Sequence, residues 1–264
     1  MLYTKLETFN FEDYEGKYLW RYFDIHKFLD FIINRELYFS RLDKFEDADE
    51  GIGGFLLMMK SIHENNEPFN KENTLWISKE NREDFISSDN KNRRDTQDGI
   101  KFLQKTQFAS CWFMGEKESL AMWKLYSSKN GVAVKIDAKI LIENVLNGID
   151  KISDTNRMAY FEKVRYYQNF KEIDLNDNNF ALFKDSSYEH EKEFRFVITQ
   201  INQWQNKLET PEFFKIDLNP LTWEKIEIFS NPFMEEWKIS NLNTILKNLD
   251  TPLMIQKSLL RIRA

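Results

Sequence analysis

The chain has 264 residues and 31.9 kDa, with 42% hydrophobic and 30% charged residues and a formal net charge of −6. That balance excludes a disordered chain and argues against a broad basic surface for nucleic acid. One cysteine, Cys111, rules out an intramolecular disulfide, and three scattered histidines (His26, His63, His190) offer no metal-ligand spacing.

The length suits one large domain or two small ones, and a single domain, 1–264, is expected, with a core rich in aromatic packing: 23 Phe, 10 Tyr and 7 Trp are present. Met1 to Asn10 has neither a basic nor an apolar leader region, and the apolar run Phe55–Met59 is far too short to span a bilayer. The expectation is a soluble, cytoplasmic protein with no membrane partner.

Tyr18–Phe23 reads as a first strand, its polar member Arg21 flanked by Trp20 and Tyr22. Asp24 is placed to cap a helix whose apolar stripe is Ile25, Phe28, Leu29, Ile32 and Ile33, and Leu37–Phe39 follows as a short strand. Asp43, Glu46, Asp47, Asp49 and Glu50 crowd the next stretch, but without the spacing of a calcium loop, and the glycines at 51, 53 and 54 do not form a phosphate-binding pattern. A solvated loop leading into a helix over 55–63 is the plain reading.

A polar helical insertion is expected around 60–105. Phe108–Phe113 reads as a buried strand carrying the hydroxyl of Ser110, and Glu118–Tyr126 as a short helix. Asn130-Gly131 marks a turn before a strand at Val132–Asp137, and a helix from Ala138 ends near Gly148. Further strands are expected at 158–167, 213–218 and 225–229, with a turn at Pro220. A helix over 233–249 and a last strand at 255–262 complete an α+β chain built on a mostly antiparallel sheet with flanking helices.

The stretch Tyr188–Ile198 carries the most chemistry. As a strand it sets Glu191, Glu193, Arg195 and Val197 on one face and Lys192, Phe194, Phe196 and Ile198 on the core face. Two carboxylates beside a guanidinium suit acid/base work, since one acid stays ionised and shifts its neighbour. An exposed face of surface ion pairs is the alternative.

The chain resembles the prokaryotic family catalogued as domain of unknown function 2971. The residues that carry the resemblance are Leu19-Trp-Arg-Tyr22, Leu37-Tyr-Phe-Ser40, the acidic segment Phe45–Glu50 and Ala109-Ser-Cys-Trp112. Met122-Trp123 with Tyr126 and Gly131, Val164-Arg-Tyr166 and Tyr188–Arg195 complete the series. The layout is similar to a distant ADP-ribosyltransferase with a split β-core: a strand bearing Arg, a strand bearing Ser, then a strand entered at Glu-x-Glu.

The resemblance implies cleavage of NAD and transfer of ADP-ribose to a macromolecular acceptor, in a bacterial setting of phage defence or toxin action. It implies Glu193 and Glu191 as catalytic residues. Arg21, Tyr22, Ser110, Trp123, Tyr126 and Arg195 would hold the nucleotide-like ligand, and no metal is required. Two further readings stand beside it. One is a non-catalytic module binding a nucleotide or nucleic-acid end; the other is a metal-dependent nuclease using Asp47, Glu50, Glu191 and Glu193.

Overall fold

The computed structural model describes residues 2–3, 11–151, 157–175, 177–200, 210–218, 223–249 and 251–262. The expected Pro220 turn and most of the first ten residues lie outside this set. The chain divides into two compact units, one of residues 1–40, 108–164 and 189–264, the other of residues 41–107 and 165–188.

The first unit opens with β1 (Leu2–Tyr3), β2 (Tyr18–Phe23), helix α1 (Ile25–Asn34) and β3 (Glu36–Arg41). Asp24 caps α1 as expected, its side chain accepting from the backbone N–H groups of His26 and Lys27. Arg35 ends the helix with a left-handed φ of 57°, its N–H donating to the Phe31 carbonyl. The expected stripe holds for Ile25, Phe28, Leu29 and Ile32, which pack on the core together with Phe31, whereas Ile33 is 57% exposed.

The stretch expected as a polar insertion takes in the end of α2 (Gly54–Asn65), turns and irregular backbone over 66–78, and most of α3 (Lys79–Thr106). It belongs to the second unit, which also takes in the strands β7 (Arg165–Tyr167) and β8 (Phe183–Asp185) named below. Polar composition marked the outside of that unit and hid its floor, where Ile52, Leu57, Ile173 and Phe183 pack together.

The first unit resumes with β4 (Gln107–Met114), α4 (Leu120–Tyr126), β5 (Val132–Asp137), α5 (Ala138–Asp150) and β6 (Arg157–Lys163). The strand expected over 158–167 breaks at Val164, after which β7 leaves to pair in parallel with β8. β9 (Glu193–Gln200), β10 (Phe213–Asp217), β11 (Glu227–Ser230), α6 (Glu236–Asn248) and β12 (Ile255–Gln256) complete the chain.

Two expected boundaries shift for physical reasons. α5 continues through Gly148, where a Cβ would stand 2.2 Å from Ile216 Cγ2; the glycine admits β10 at close range instead of stopping the helix. Of the strand expected over 255–262, only Ile255–Gln256 pairs, in parallel with β11.

The strands follow the order β1-β6-β9-β4-β2-β5-β11-β12, with β10 paired to β3 and β3 also paired to β4. β4 thus has three neighbours, and the sheet branches there. β2 stays with β4 for Leu19↔Met114 and Trp20↔Phe113, then runs on beside β5 as far as Phe23↔Val132. Arg21 is therefore the first residue of β2 beyond the ladder with β4. β6–β9, β2–β4, β2–β5, β5–β11 and β3–β10 are antiparallel, the mostly antiparallel α+β arrangement expected.

Alternation along the strands separates two cores. Leu19 and Phe23, Phe108 and Trp112, Val132 and Val134, and Phe194, Phe196 and Ile198 share one face with α1 and α5. Trp20, Tyr22, Phe113, Ala133 and Phe229 lie on the opposite face against Met122 and Trp123 of α4. Among the described residues, no helix is long and apolar enough to cross a membrane.

Candidate functional site

β9 starts later than its sequence pattern suggests. Ser186–Glu191 forms a 3-10 turn, and Lys192 joins it to the strand with φ 42°, a left-handed conformation rare outside glycine. Lys192, expected on the core face beside Phe194, is consequently exposed. Glu191, Glu193 and Arg195 are 3%, 6% and 0% exposed, so the surface ion-pair alternative is set aside.

Burial forces these charges to find partners. The Arg195 Nη2 donates to Glu193 Oε2 at 2.7 Å, two residues away on the same face of β9. The Tyr126 hydroxyl, at the end of α4, donates to Glu191 Oε1. Burial drives the Tyr126 phenol well above the ordinary tyrosine range, followed by its hydrogen bond to Glu191 and by electrostatic interaction with Glu191, Glu193 and Cys111. Tyr126 is 47% exposed, so it links a buried carboxylate to solvent.

Arg21 and Ser110, both expected to hold the ligand, meet each other. Arg21 Nη1 donates to Ser110 Oγ at 2.7 Å, and both terminal nitrogens reach the Tyr38 carbonyl of β3 at 3.4 Å. The Trp112 indole N–H also donates to Ser110 Oγ, at 3.2 Å. The guanidinium lies 5.3 Å from the Phe23 ring and 5.7 Å from the Trp112 ring. Burial pulls its pKa down to about 10, against the smaller opposing effects of Cys111 and Tyr38, so it stays protonated at neutral pH.

These contacts belong to the α1/α5 face, because Phe23 and Trp112 do. Glu193 and Arg195 alternate with Phe194 and Phe196 and so point from the opposite face. The sheet therefore separates Arg21 and Ser110 from the carboxylates. The expectation that all three strands feed one cleft is corrected by the period of two, and Arg21 acts as a clip where β2, β3 and β4 part.

Of the aromatic candidates, Tyr22 lies on the same sheet face as Glu193. It is 7% exposed, accepts from the Ser119 backbone N–H at 2.8 Å, and meets Trp123 edge-on at 5.0 Å. Trp123 is 1% exposed, and its indole N–H donates to Glu118 Oε2 at 2.9 Å. Its ring faces are used up in packing, so the ligand-stacking role assigned to it is withdrawn. Helical spacing on α4 was a core signal.

Sequence reasoning passed over Cys111 and Glu118. Cys111, half-buried on β4, alternates with Ser110 and Trp112 and so lies on the carboxylate face. Glu118 is a buried acid immediately before Ser119, the N-cap of α4. A charged residue beside a capping serine was its only signal.

In the second unit, the acidic segment is largely engaged with cations. Arg41 holds Asp43 at 2.6 Å, Lys60 holds Asp49, and Lys184 stands 3.9 Å from Glu50 with side chains 5% and 1% exposed. Among the described residues, no group of three His, Cys, Asp or Glu side chains is arranged to hold a metal ion.

A family model described as Protein of unknown function (DUF2971) matches residues 122–196. The resemblance to that family is thus found over the stretch that contains Trp123, Tyr126, Glu191, Glu193 and Arg195. The residues on β2, β3 and β4 that contributed to the resemblance lie outside the match. No curated protein and no solved structure matches the chain.

Proposed function

We propose that the protein is an ADP-ribosyltransferase-like enzyme that cleaves NAD and transfers ADP-ribose to an acceptor, with Glu193 and Glu191 as its catalytic pair. The observation that carries this reading is Glu193 itself. It is a buried carboxylate at the entry of β9, held by Arg195, on a strand beside β4, which in turn lies beside β2 at the branch of the sheet. That order brings the Glu-x-Glu, Ser and Arg strands together as neighbours, in keeping with a split core of this type.

The chemistry follows from charge. Breaking the bond between ribose C1′ and the nicotinamide nitrogen sends its electron pair to the ring, which leaves neutral, and puts positive charge on the ribose. Glu193, paired with Arg195, stabilises that oxocarbenium-like ribose. Glu191 takes the proton from the acceptor as the acceptor bonds to C1′. Tyr126 orients Glu191, and Tyr22 and Cys111 contribute the adjoining surface of the same sheet face. Arg21 and Ser110 maintain the branch from behind.

The test is release of nicotinamide from labelled NAD by the protein supplied with candidate acceptors from a bacterial lysate. Release that falls at least ~100-fold in Glu193→Gln, with native-like circular dichroism, supports the reading. No release with any acceptor, or release indifferent to Glu193→Gln, defeats it.

A second reading has its own support. Both carboxylates already have partners inside the protein, as in a site built to bind a nucleotide without turning it over. It expects calorimetric binding of NAD with the dinucleotide recovered intact, and tolerance of Glu193→Gln.

A further inference from the structure

After β12 the chain leaves the sheet and returns to α4. Ser258 Oγ donates to Glu118 Oε2 at 2.6 Å, and the Leu259 backbone N–H donates to Glu118 Oε1 at 2.6 Å. The Leu260 N–H donates back to Ser258 Oγ at 3.2 Å, and the Leu260 side chain packs on the core of Trp20, Tyr22 and Trp123. Glu118 Oε2 also receives the Trp123 indole N–H. One carboxylate, 8% exposed, therefore gathers two donors from the chain end and one from the middle of α4.

α4 needs such support. It has seven residues, well below the length of roughly 12–15 at which an isolated helix becomes even marginally stable in water. Its start is held by Ser119, whose side chain accepts from the Met122 N–H and whose own N–H donates to the Tyr22 hydroxyl. Its last residue is Tyr126, one turn beyond Trp123, with its hydroxyl on Glu191. Withdrawing the chain end would leave a buried carboxylate short of two donors, which drives it toward water and takes the Trp123 contact with it.

We propose that the segment Lys257–Leu260 is a latch that, through Glu118, fixes α4 and with it the contact of Tyr126 with Glu191. Glu118 is thereby a positioning residue, and whatever displaces the segment from it loosens the site. The consequence for catalysis rests on the transferase reading above; the latch itself does not.

Glu118→Gln tests it at constant volume. The amide nitrogen must face either the Leu259 N–H or the Trp123 N–H, both obligate donors, so one contact is lost in either orientation. Hydrogen exchange read by mass spectrometry should quicken roughly tenfold in both 119–126 and 257–262, while 132–137 in β5 is unchanged. If exchange rises throughout the chain, the milder Ser258→Ala is decisive, with smaller rises confined to the same two segments. Faster exchange at 257–262 with 119–126 unaltered overturns the proposal.

Where NAD is cleaved, Glu118→Gln should lower kcat several-fold with KM for NAD held, since Glu191 acts on the acceptor side. Unaltered kcat would confine the latch to stability and overturn the positioning role. Should the native protein cleave no NAD, the exchange result still decides the latch, so the two failures are distinct.

Discussion

Glu193 and Arg195 stand two residues apart on β9 and are joined by an ion pair of 2.7 Å, with side chains 6% and 0% exposed. Pairs this deep are held together by mutual need more than by net gain. Taking both charges from water costs several kcal/mol, and removing one partner leaves the other without compensation. Arg195→Met should therefore destabilise the protein by about 3–5 kcal/mol in urea unfolding. Glu193→Gln, which still presents a carbonyl oxygen to Arg195, should cost less. The double variant Glu193→Gln with Arg195→Met should recover much of the loss, and a loss under ~1 kcal/mol for Arg195→Met alone would mean that water reaches the pair.

Ser110 accepts from both Arg21 and Trp112 on the face of the sheet away from the carboxylates. Ser110→Ala takes one acceptor from two buried donors, with an expected cost of about 1–3 kcal/mol and a matching fall in Tm. Because the sheet lies between, the proposed use of NAD expects its KM, or its calorimetric Kd, to stay within about twofold of the native value. A tenfold weaker interaction with NAD at unchanged Tm would put Ser110 back beside the ligand.

Tyr14, Tyr22, Tyr126 and Tyr167 have pKa values raised well above the ordinary value, and Tyr38 is raised less, first by burial in every case. Their stabilising effect is complete below about pH 10, where the unfolded phenols still hold their protons, and is lost as pH rises toward the folded values. Each contributes a slope of up to about 1.4 kcal/mol per pH unit in that window, least for the half-exposed Tyr126. Arg21 acts in the opposite sense: burial lowers its folded pKa to about 10, so it offsets one proton over that interval. Urea unfolding between pH 9 and about 11.5 should show stability falling above pH 10. Tyr22→Phe should lower the slope by one proton, and an identical slope would show that the Tyr22 phenol ionises in the folded state.

Gly148 lies inside α5 with Ile216 Cγ2 at 2.2 Å and the Asp217 carbonyl at 2.8 Å from where a Cβ would be. Gly148→Ala gains helix propensity of up to ~1 kcal/mol, yet it must push β10 away from the helix at an overpacking cost of typically ~1–3 kcal/mol. Net destabilisation is the expected outcome, read as a lower Tm. A rise in Tm would make Gly148 an ordinary helical glycine.

Local sequence patterns determined much of this protein. The Asp24 cap, the aromatic strand at 18–23, the buried strand at Phe108–Phe113 and the alternation of Phe194, Phe196 and Ile198 follow from spacing and backbone chemistry that act over a few residues. Periodicity also determined that Glu193 and Arg195 share a face. It did not determine that the face is buried, because burial depends on what packs against a strand and not on the strand's own pattern.

Tertiary structure decided the rest. Where β2 leaves β4, and hence what Arg21 reaches, is a matter of pairing between distant strands. Strict alternation then set Arg21 and Ser110 on one side of the sheet and Glu193 on the other, although chain order had suggested a single cleft. The positive φ of Lys192 moved Glu191 from strand to turn, and long-range hydrogen bonds drew the chain end onto Glu118. The Glu-x-Glu-x-Arg stretch was legible as chemistry from its residues alone. Its partner Tyr126 was brought to Glu191 only when the sheet and α4 came together.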